Sequence, residues 1–421
     1  MILALLVVAS TIFTVLLLFL PSPAYGSDKR CTVQVVVLGD LGRSPRMQYH
    51  ALSIADHGGY VQLVGYRPFT RAALSLACDN RPVVTSPILV TNEQQGLVPA
   101  IRAIKGTAAD VDPLAGFELF YSCLQVDASS DWHNFGYSIL ALKLGEGHPL
   151  VRISKLFESA LSRAAYANFT VTDAMAKVLR ADYGMLAPVL TLHDRPANLY
   201  QPLTDVQRLS FLQRYQPVNE HFNALVDGKA RLLVSSTSWT PDEDFVILLD
   251  ALCSYSASAT FSHPHLPELV VVITGKGPQK QLYLDKIEEL RRADSLEMVS
   301  IYTDWLSFED YALLLGSADL GVSLHTSSSG VDLPMKVVDM FGAGLPVAGW
   351  SKFSAWSELV TEDVNGKGFG SPEELADILR ELFDPASKKL AQLKDGARCE
   401  SQRRWSSEWD PVAGRLFGVV I

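Results

Sequence analysis

Residues 320–347 read LGVSLHTSSSGVDLPMKVVDMFGAGLPV, and how that stretch divides decides the fold. The apolar run at 319–324 predicts a short buried strand. It breaks into a turn of hydroxyls and glycine, and a helix is expected from about Leu333, with Asp332 as its cap and Pro334 just inside. The segment Gly342-Ala-Gly344-Leu-Pro346 ends that helix. Met335 and Val338 are expected to point towards the sheet, while Lys336 and Asp339, three residues apart, share another face. A cation in or near the first turn lies at the positive end of the helix dipole, where it is disfavoured unless an anion joins it. A nucleotide sugar offers matching groups: a pyrophosphate for Lys336, the helix N-terminus and the turn, and a ribose diol for Asp339. The turn residues placed around that pyrophosphate are His325, Ser327, Ser328, Ser329 and Gly330. The alternative is a solvated surface pair on an ordinary α/β helix.

The same pattern recurs upstream. A strand at 230–234 leads to a turn, Ser235-Ser-Thr-Ser-Trp-Thr240, and Pro241-Asp-Glu-Asp introduces a helix at Phe245. Ser235, Ser236 and Thr237 can bond a phosphate or a sugar, or cap a helix as such residues do in any α/β protein. The next strand, 269–273, runs into Gly275-Lys276-Gly277-Pro278 and an amphipathic helix at 279–292. Glycines there allow close backbone approach, and Lys276 can neutralise a phosphate or lie near the base. A third strand at 299–302 precedes a helix capped by Ser307, Asn365-Gly366 reads as a turn, and Ser371 caps a helix to about Leu382. Four strand–turn–helix units with polar turns at the carboxyl ends define a ligand-binding domain over 230–400.

The first half opens in the same way. Residues 32–38 form a β-branched run that leads to Gly39-Asp-Leu-Gly42-Arg43-Ser-Pro-Arg46, a helical stretch to about Asp56 and a second strand at 60–66. This is a βαβ unit whose turn lacks a full GxGxxG, so dinucleotide binding is not supported. Backbone N–H groups at Gly39 and Gly42, with Arg43 and Arg46, can hold an acceptor's pyrophosphate; a plain tight turn is the other reading. Residues 67–130 are irregular, and no strand is recognisable directly before Asp131-Trp-His133-Asn134. That motif is a polar, aromatic turn in which His133 can act as a base, with Asp131 holding its tautomer, or can serve structural hydrogen bonding. Asn168-Phe-Thr170 spells a glycosylation sequon and is read as chance. The organisation expected is a membrane anchor at 1–26, a first domain at 27–196, a linker at 197–229, a second domain at 230–400 and a tail at 401–421 packing at the domain junction.

Composition agrees with this outline. A chain of 421 residues, 48% hydrophobic and 19% charged, is long enough for two α/β domains. Its net charge of −10 leaves no electrostatic footprint for nucleic acid. The five cysteines are widely spaced and show no metal-binding pattern, which favours a reducing compartment. No DxD motif lies in a convincing turn, so no metal is implied. Residues 2–20 are nearly all apolar, with no basic residue before them and Lys29 and Arg30 after them. This predicts a transmembrane helix with the bulk of the chain on the cytosolic side; a cleaved signal peptide is the competing reading.

The run Asp332-Leu-Pro-Met-Lys336-Val-Val-Asp339-Met-Phe-Gly-Ala-Gly-Leu-Pro346 resembles the nucleotide-sugar helix of two-domain GT-B glycosyltransferases. Together with LGDLGRSPRMQYH at 38–50, DWHNFGYS at 131–138, SSTSWTPDEDF at 235–245 and ITGKGP at 273–278, it is similar in particular to the dolichol-pathway β-1,4-mannosyltransferases, the chitobiosyldiphosphodolichol β-mannosyltransferases. The resemblance implies an α/β fold of two facing Rossmann-like domains with an N-terminal transmembrane helix. It implies GDP-mannose as donor substrate with no cofactor, chitobiosyl-diphosphodolichol as acceptor, and inversion at the anomeric carbon. It also implies a single-pass endoplasmic reticulum anchor, a cytosolic catalytic domain, and association with other mannosyltransferases of the pathway. An inverting displacement needs a base, assigned to His133 with Asp131, and help for the departing GDP, assigned to Lys336 and its helix N-terminus. Asn134 joins Gly39, Gly42, Arg43 and Arg46 on the acceptor side. The family pattern also has an Asn-Pro-Pro turn and an apolar strand within the segment corresponding to 67–130. Their lack here motivates a second reading, a noncatalytic relative with an incomplete acceptor-side domain that binds nucleotide sugar or partner proteins.

Overall fold

The computed structural model describes residues 31–40, 44–66, 83–86, 117–122, 127–163, 165–240, 243–327 and 329–420. The expected transmembrane helix, Gly42, Arg43, Ser328 and most of the irregular 67–130 stretch lie outside them. The chain divides into two compact units, Met1–His193 with Glu408–Ile421, and Asp194–Ser407.

Unit 1 is built on β1 (Thr32–Asp40), α1 (Pro45–Asp56), β2 (Tyr60–Tyr66), β3 (Val83–Ser86), β4 (Phe117–Ser122) and β5 (Asp127–Trp132). It continues through α2 (Gly136–Leu144), α3 (Pro149–Arg163), β6 (Ala167–Thr170), α4 (Asp173–Asp182) and β7 (Val189–Thr191). The strands form one sheet in the order β3-β2-β1-β4-β5-β6-β7. All neighbours are parallel except β4, which runs antiparallel to both β1 and β5.

A strand therefore does carry Asp131, contrary to the sequence expectation. Its sequence, Asp-Ala-Ser-Ser-Asp-Trp, hides it because the polar groups are satisfied inside the sheet. Ser130 Oγ and Trp132 Nε1 both donate to Oδ1 of Asn168 on the neighbouring strand β6. Asn168 is fully buried by this arrangement, so the sequon is no acceptor in the folded chain. One further detail differs: Thr172, not Asp173, caps α4, its hydroxyl accepting from the Met175 N–H at 3.0 Å.

The last segment, Glu408–Ile421, belongs to unit 1, whereas 401–407 belongs to unit 2, so the tail expected at 401–421 is divided between them. Trp409 is fully buried and donates its indole N–H to His50 Nδ1 at 2.8 Å. Phe417 stacks on Trp409, with ring centroids 6.3 Å apart, and packs against Phe169 of β6.

Unit 2 begins with α5 (Asp205–Arg214), α6 (Gln216–Asn219) and α7 (Phe222–Val226). The stretch 197–229, read as a linker, is thus structured and part of this unit, with Thr204 and Gln207 forming a capping box at the start of α5. There follow β8 (Ala230–Ser236), α8 (Phe245–Ala257), β9 (Glu268–Thr274), α9 (Lys280–Arg292), β10 (Val299–Asp304), α10 (Phe308–Ser317) and β11 (Leu320–Ser323). The unit closes with α11 (Met335–Gly342), β12 (Val347–Trp350), α12 (Trp356–Leu359), β13 (Gly366–Phe369), α13 (Pro372–Phe383) and α14 (Lys389–Glu400). Gly366, expected in a turn, opens β13, and the order β10-β9-β8-β11-β12-β13 is parallel throughout.

That order reverses between β8 and β11, the point where doubly wound sheets bind ligands outside their carboxyl ends. Buried strands such as Leu-Val-Val-Val-Ile in β9 make the central layer. The helical stretch Phe245–Ser262, α8 with its continuation, is long and apolar enough to cross a membrane by length and composition, but Phe245, Leu248, Leu249, Leu252 and Tyr255 are buried in the core of this unit. Asp319, just before β11, accepts the Leu232 N–H at 3.0 Å and a bond from Lys394 at 2.6 Å, which ties α14 to the sheet.

Because Trp409 fills the core of unit 1, Trp409→Ala is expected to cost that unit about 3–5 kcal/mol. Denaturant unfolding followed with probes in each unit should show the unit 1 transition moving and the unit 2 transition unchanged.

Candidate functional site

In unit 2 the sequence motifs gather at the carboxyl ends of β9, β8 and β11. The turn after β8 is organised by Glu243, which lies just before α8 and is buried. Its Oε2 accepts from Thr237 Oγ1 at 2.6 Å and from the Ser238 N–H at 2.8 Å. Its Oε1 accepts from Lys336 Nζ of α11. Thr237 Oγ1 also accepts from the Trp239 N–H at 2.7 Å, so Thr237, expected on the donor, is committed to its own turn. Ser235 is buried in β8, and Ser236 shares a hydrogen bond with the Tyr311 hydroxyl at 2.8 Å.

The Gly275–Gly277 turn packs onto this one. A Cβ on Gly275 would lie 1.9 Å from Thr237 O, and one on Gly277 would lie 1.7 Å from Ser238 O. The two glycines are thus required by the approach of one protein turn to another, rather than by approach to a nucleotide. Lys276 is exposed, with its Nζ 4.5 Å from the centre of the Trp305 ring.

The turn after β11 has its own hub. Asp332 accepts from His325 Nε2 at 3.1 Å, from Ser329 Oγ at 3.0 Å and from Ser327 Oγ. Burial opposes ionisation of Asp332, but the bonds from His325, Ser327 and Ser329 hold its carboxyl below the usual range. Asp332 therefore does not cap the helix. Helix α11 starts at Met335 after Pro334, with no side-chain cap, and Met335 is exposed instead of facing the sheet; Val338 is buried as expected. Gly330 takes a φ of +73°, and Ser327 is also left-handed at +54°.

Lys336 and Asp339 do not pair with each other. Lys336 is held at the start of α11 by Glu243, while the Asp339 carboxyl is pushed up to about 7 by burial and by the buried carboxylate of Asp194. Sequence reading missed Glu243, Asp194 and Tyr311. Glu243 stood among acidic residues ascribed to a first helical turn, and the helix starts only at Phe245.

In unit 1, Asp131 ends inside a buried cluster. Arg46 donates to it twice, Nε to Oδ2 at 2.7 Å and Nη2 to Oδ1 at 3.0 Å. Arg46, expected on an acceptor pyrophosphate, is instead buried and consumed by this bidentate pair. Burial works against the Asp131 charge, yet Arg46 and His50 hold its carboxyl far below the usual range. Because Trp409 donates to Nδ1 of His50, the proton of that ring lies on Nε2, 3.4 Å from Asp131 Oδ2. His133 Nε2 lies 3.5 Å from the same oxygen, and its ring is partly exposed. His133 thus lies beside a carboxylate whose charge is balanced by Arg46. Asn134, expected on the acceptor side, accepts the Phe135 N–H at 2.7 Å at the entry to α2, a bond that sets this turn. Gly39 lies within β1, one residue before its end, not in the following turn.

No protein-family model matches the chain. Among curated proteins, a chitobiosyldiphosphodolichol beta-mannosyltransferase of Arthroderma benhamiae is 54% identical over 292 residues, 69% of this chain and 65% of that protein. The chain therefore spans just under two thirds of that relative's length in this match. The enzyme of the same name in Yarrowia lipolytica is 40% identical over 418 residues, 93% of this chain and 87% of the relative. A protein named UDP-glycosyltransferase TURAN from Arabidopsis thaliana is 38% identical over 464 residues, covering 93% and 98%. Among solved structures, Anabaena HepE in complex with UDP and glucose superposes with a TM-score of 0.60 at 18% identity, covering 90% of this chain and 98% of that one. WaaG, a glycosyltransferase of lipopolysaccharide biosynthesis, gives 0.54 at 14%, covering 90% and 99%. At such identities these likenesses establish the GT-B fold alone.

Burial lowers the His50 pKa from its ordinary 6.5 to about 4. The folded state thus favours the neutral ring, and the stability this contributes is complete above pH about 6.5 and lost as the pH falls towards 4. Unit 1 should unfold more readily at pH 5 than at pH 7. His50→Gln should flatten that dependence, whatever it does to absolute stability.

Proposed function

Because the chain belongs to the chitobiosyldiphosphodolichol β-mannosyltransferase family, we propose that it moves mannose from GDP-mannose to chitobiosyl-diphosphodolichol, inverting the anomeric carbon to form a β-1,4 link. The observation that supports this best is Lys336, held by buried Glu243 at the start of α11, beside the point where the sheet order reverses. There a cation and a helix N-terminus together offset the charge that develops on a departing nucleoside diphosphate. Glu243 limits the freedom of Lys336, so the ammonium is oriented before the donor arrives.

Asp339, one turn along α11, is assigned to the ribose diol, and the turn at His325–Gly330 to the pyrophosphate. Ser235, Ser236, Thr237, Gly275 and Gly277 shape the turns around the donor, and Lys276 contacts its nucleotide end. His133 is assigned as the base that takes the proton of the acceptor hydroxyl, positioned by Asp131. The chain itself supplies these roles without a cofactor. Its place is the endoplasmic reticulum membrane, anchored once by the apolar N-terminal segment with the catalytic units facing the cytosol, alongside other mannosyltransferases of the same pathway.

The reading as a noncatalytic relative loses one of its two motives, because the strand thought to be missing before Asp131 is present as β5, paired with β4 and β6; the other, the lack of an Asn-Pro-Pro turn in the sequence, stands. A UDP-sugar donor remains the second reading, favoured by the name of the Arabidopsis relative.

The test is transfer of radiolabelled mannose from GDP-mannose to a chitobiosyl-diphospholipid by membranes containing the chain, with UDP-glucose as the competing donor. Transfer from GDP-mannose alone supports the proposal; transfer only from UDP-glucose replaces it. Lys336→Ala is expected to lower kcat about 10²–10³-fold, and His133→Ala about 10²–10⁴-fold.

Since Asp339 titrates near 7, its carboxylate form grows as the pH rises from 6 to 8. Donor affinity measured by calorimetry should tighten by up to about tenfold over that range, as the ionised fraction does. Asp339→Asn should bind more weakly, with no such pH dependence.

A further inference from the structure

Helices α2 and α3 of unit 1 expose five large apolar side chains. Leu142 is 62% exposed, Ile153 56% and Leu156 70%, and Leu144 and Leu150 are also exposed. Helix α3 buries Val151, Glu158 and Ser162 against the unit. At about 100° per residue, Ile153 and Leu156 lie roughly 150° round the helix from that buried face. In a helix that meets only water on its outer side, this is where charged and polar residues belong. Here the outer side carries an apolar stripe instead.

A band of positive charge accompanies the stripe. Lys143, Arg152, Lys155 and Arg163 are exposed on these two helices, and Glu146 is the one exposed acid in 142–163. Glu158 is turned inward, where its carboxyl bonds the Tyr137 N–H and Ser154. Lys155 lays its ammonium over the Tyr137 ring at 5.0 Å, so its stem runs along apolar surface while its charge stays outside. The whole chain carries a net charge of −10, so a local excess of cations beside exposed leucines is a departure from its average.

We propose that the α2–α3 face is a membrane-surface contact, with Leu142, Leu150, Ile153 and Leu156 entering the boundary between headgroups and acyl chains of an anionic bilayer. Lys143, Arg152 and Lys155 meet the lipid phosphates at its edge. Apolar area supplies the insertion and basic residues supply the preference for anionic lipid, the combination that defines interfacial helices. This contact is separate from the apolar N-terminal segment and does not rest on the transfer reaction.

The test uses the full chain reconstituted into vesicles of phosphatidylcholine, with or without phosphatidylserine, and hydroxyl-radical footprinting of its side chains. Phe261, exposed on unit 2, is the internal reference. Oxidation of Leu150, Ile153 and Leu156 should fall severalfold in the phosphatidylserine vesicles while Phe261 is unchanged. Arg152→Glu/Lys155→Glu should restore it. Equal oxidation in both vesicle types, unaffected by the charge reversals, overturns the proposal. Protection that appears only as protein density is raised at fixed lipid composition also overturns it, and assigns the face to a second copy of the chain. Because the readout needs no catalysis, a chain inactive in mannose transfer still answers the question.

Discussion

A carboxylate taken out of water must find donors for both its oxygens, and in unit 2 that requirement falls on Glu243. It meets the requirement by drawing in a threonine hydroxyl and a backbone N–H on one oxygen and Lys336 on the other. The turn after β8 and the start of α11 are thereby fixed relative to each other. The glycine turn after β9 then has only one way to fit, since any side chain at Gly275 or Gly277 would collide with the carbonyls of that first turn. Three loops from three strands become one surface because a single buried charge is satisfied across two of them and backbone packing locks the third.

Unit 1 repeats the theme with different chemistry. Asp131 is more deeply buried and is balanced by a bidentate Arg46, with the His50 and His133 rings 3.4 and 3.5 Å from its Oδ2. The chain that begins α1 at Pro45, the strand β5 and the C-terminal Trp409 all meet around this carboxylate. A replacement at any of them leaves a charge or a donor inside the core without its complement, which costs far more than a lost surface pair.

How far this was legible in the sequence depends on which signal each residue leaves. The parallel sheet of unit 2 was clear, because β8, β9 and β11 are apolar runs punctuated by hydroxyl- and glycine-rich turns. Strand β5 was not, because Ser130 is polar for a reason found 38 residues away, at Asn168. The helix at 335–342 was found, but its start was misassigned: Asp332 has the spelling of a cap and spends its oxygens on His325 and two serines. Arg46 illustrates the same limit, since an arginine near a glycine-rich turn spells anion binding whether the anion is a ligand or a carboxylate of the protein. Spacing identifies the chemical type of a group well; it does not reveal which partner reaches it first in three dimensions.

The division of the chain has a consequence for its biosynthesis. Unit 1 is interrupted after His193 and completed only by Glu408–Ile421, so residues synthesised in between belong wholly to unit 2. Domains usually fold in the order in which they leave the ribosome. Here the earlier one lacks the Trp409 indole that bonds His50 and the Phe417 ring that packs on Phe169 until residues 408–421 have been made, after the whole of unit 2. During that interval the sheet of unit 1 exposes a gap in its core while unit 2 can already close. The nascent protein then passes through a state in which unit 2 has all its residues while unit 1 still lacks the segment that closes its core.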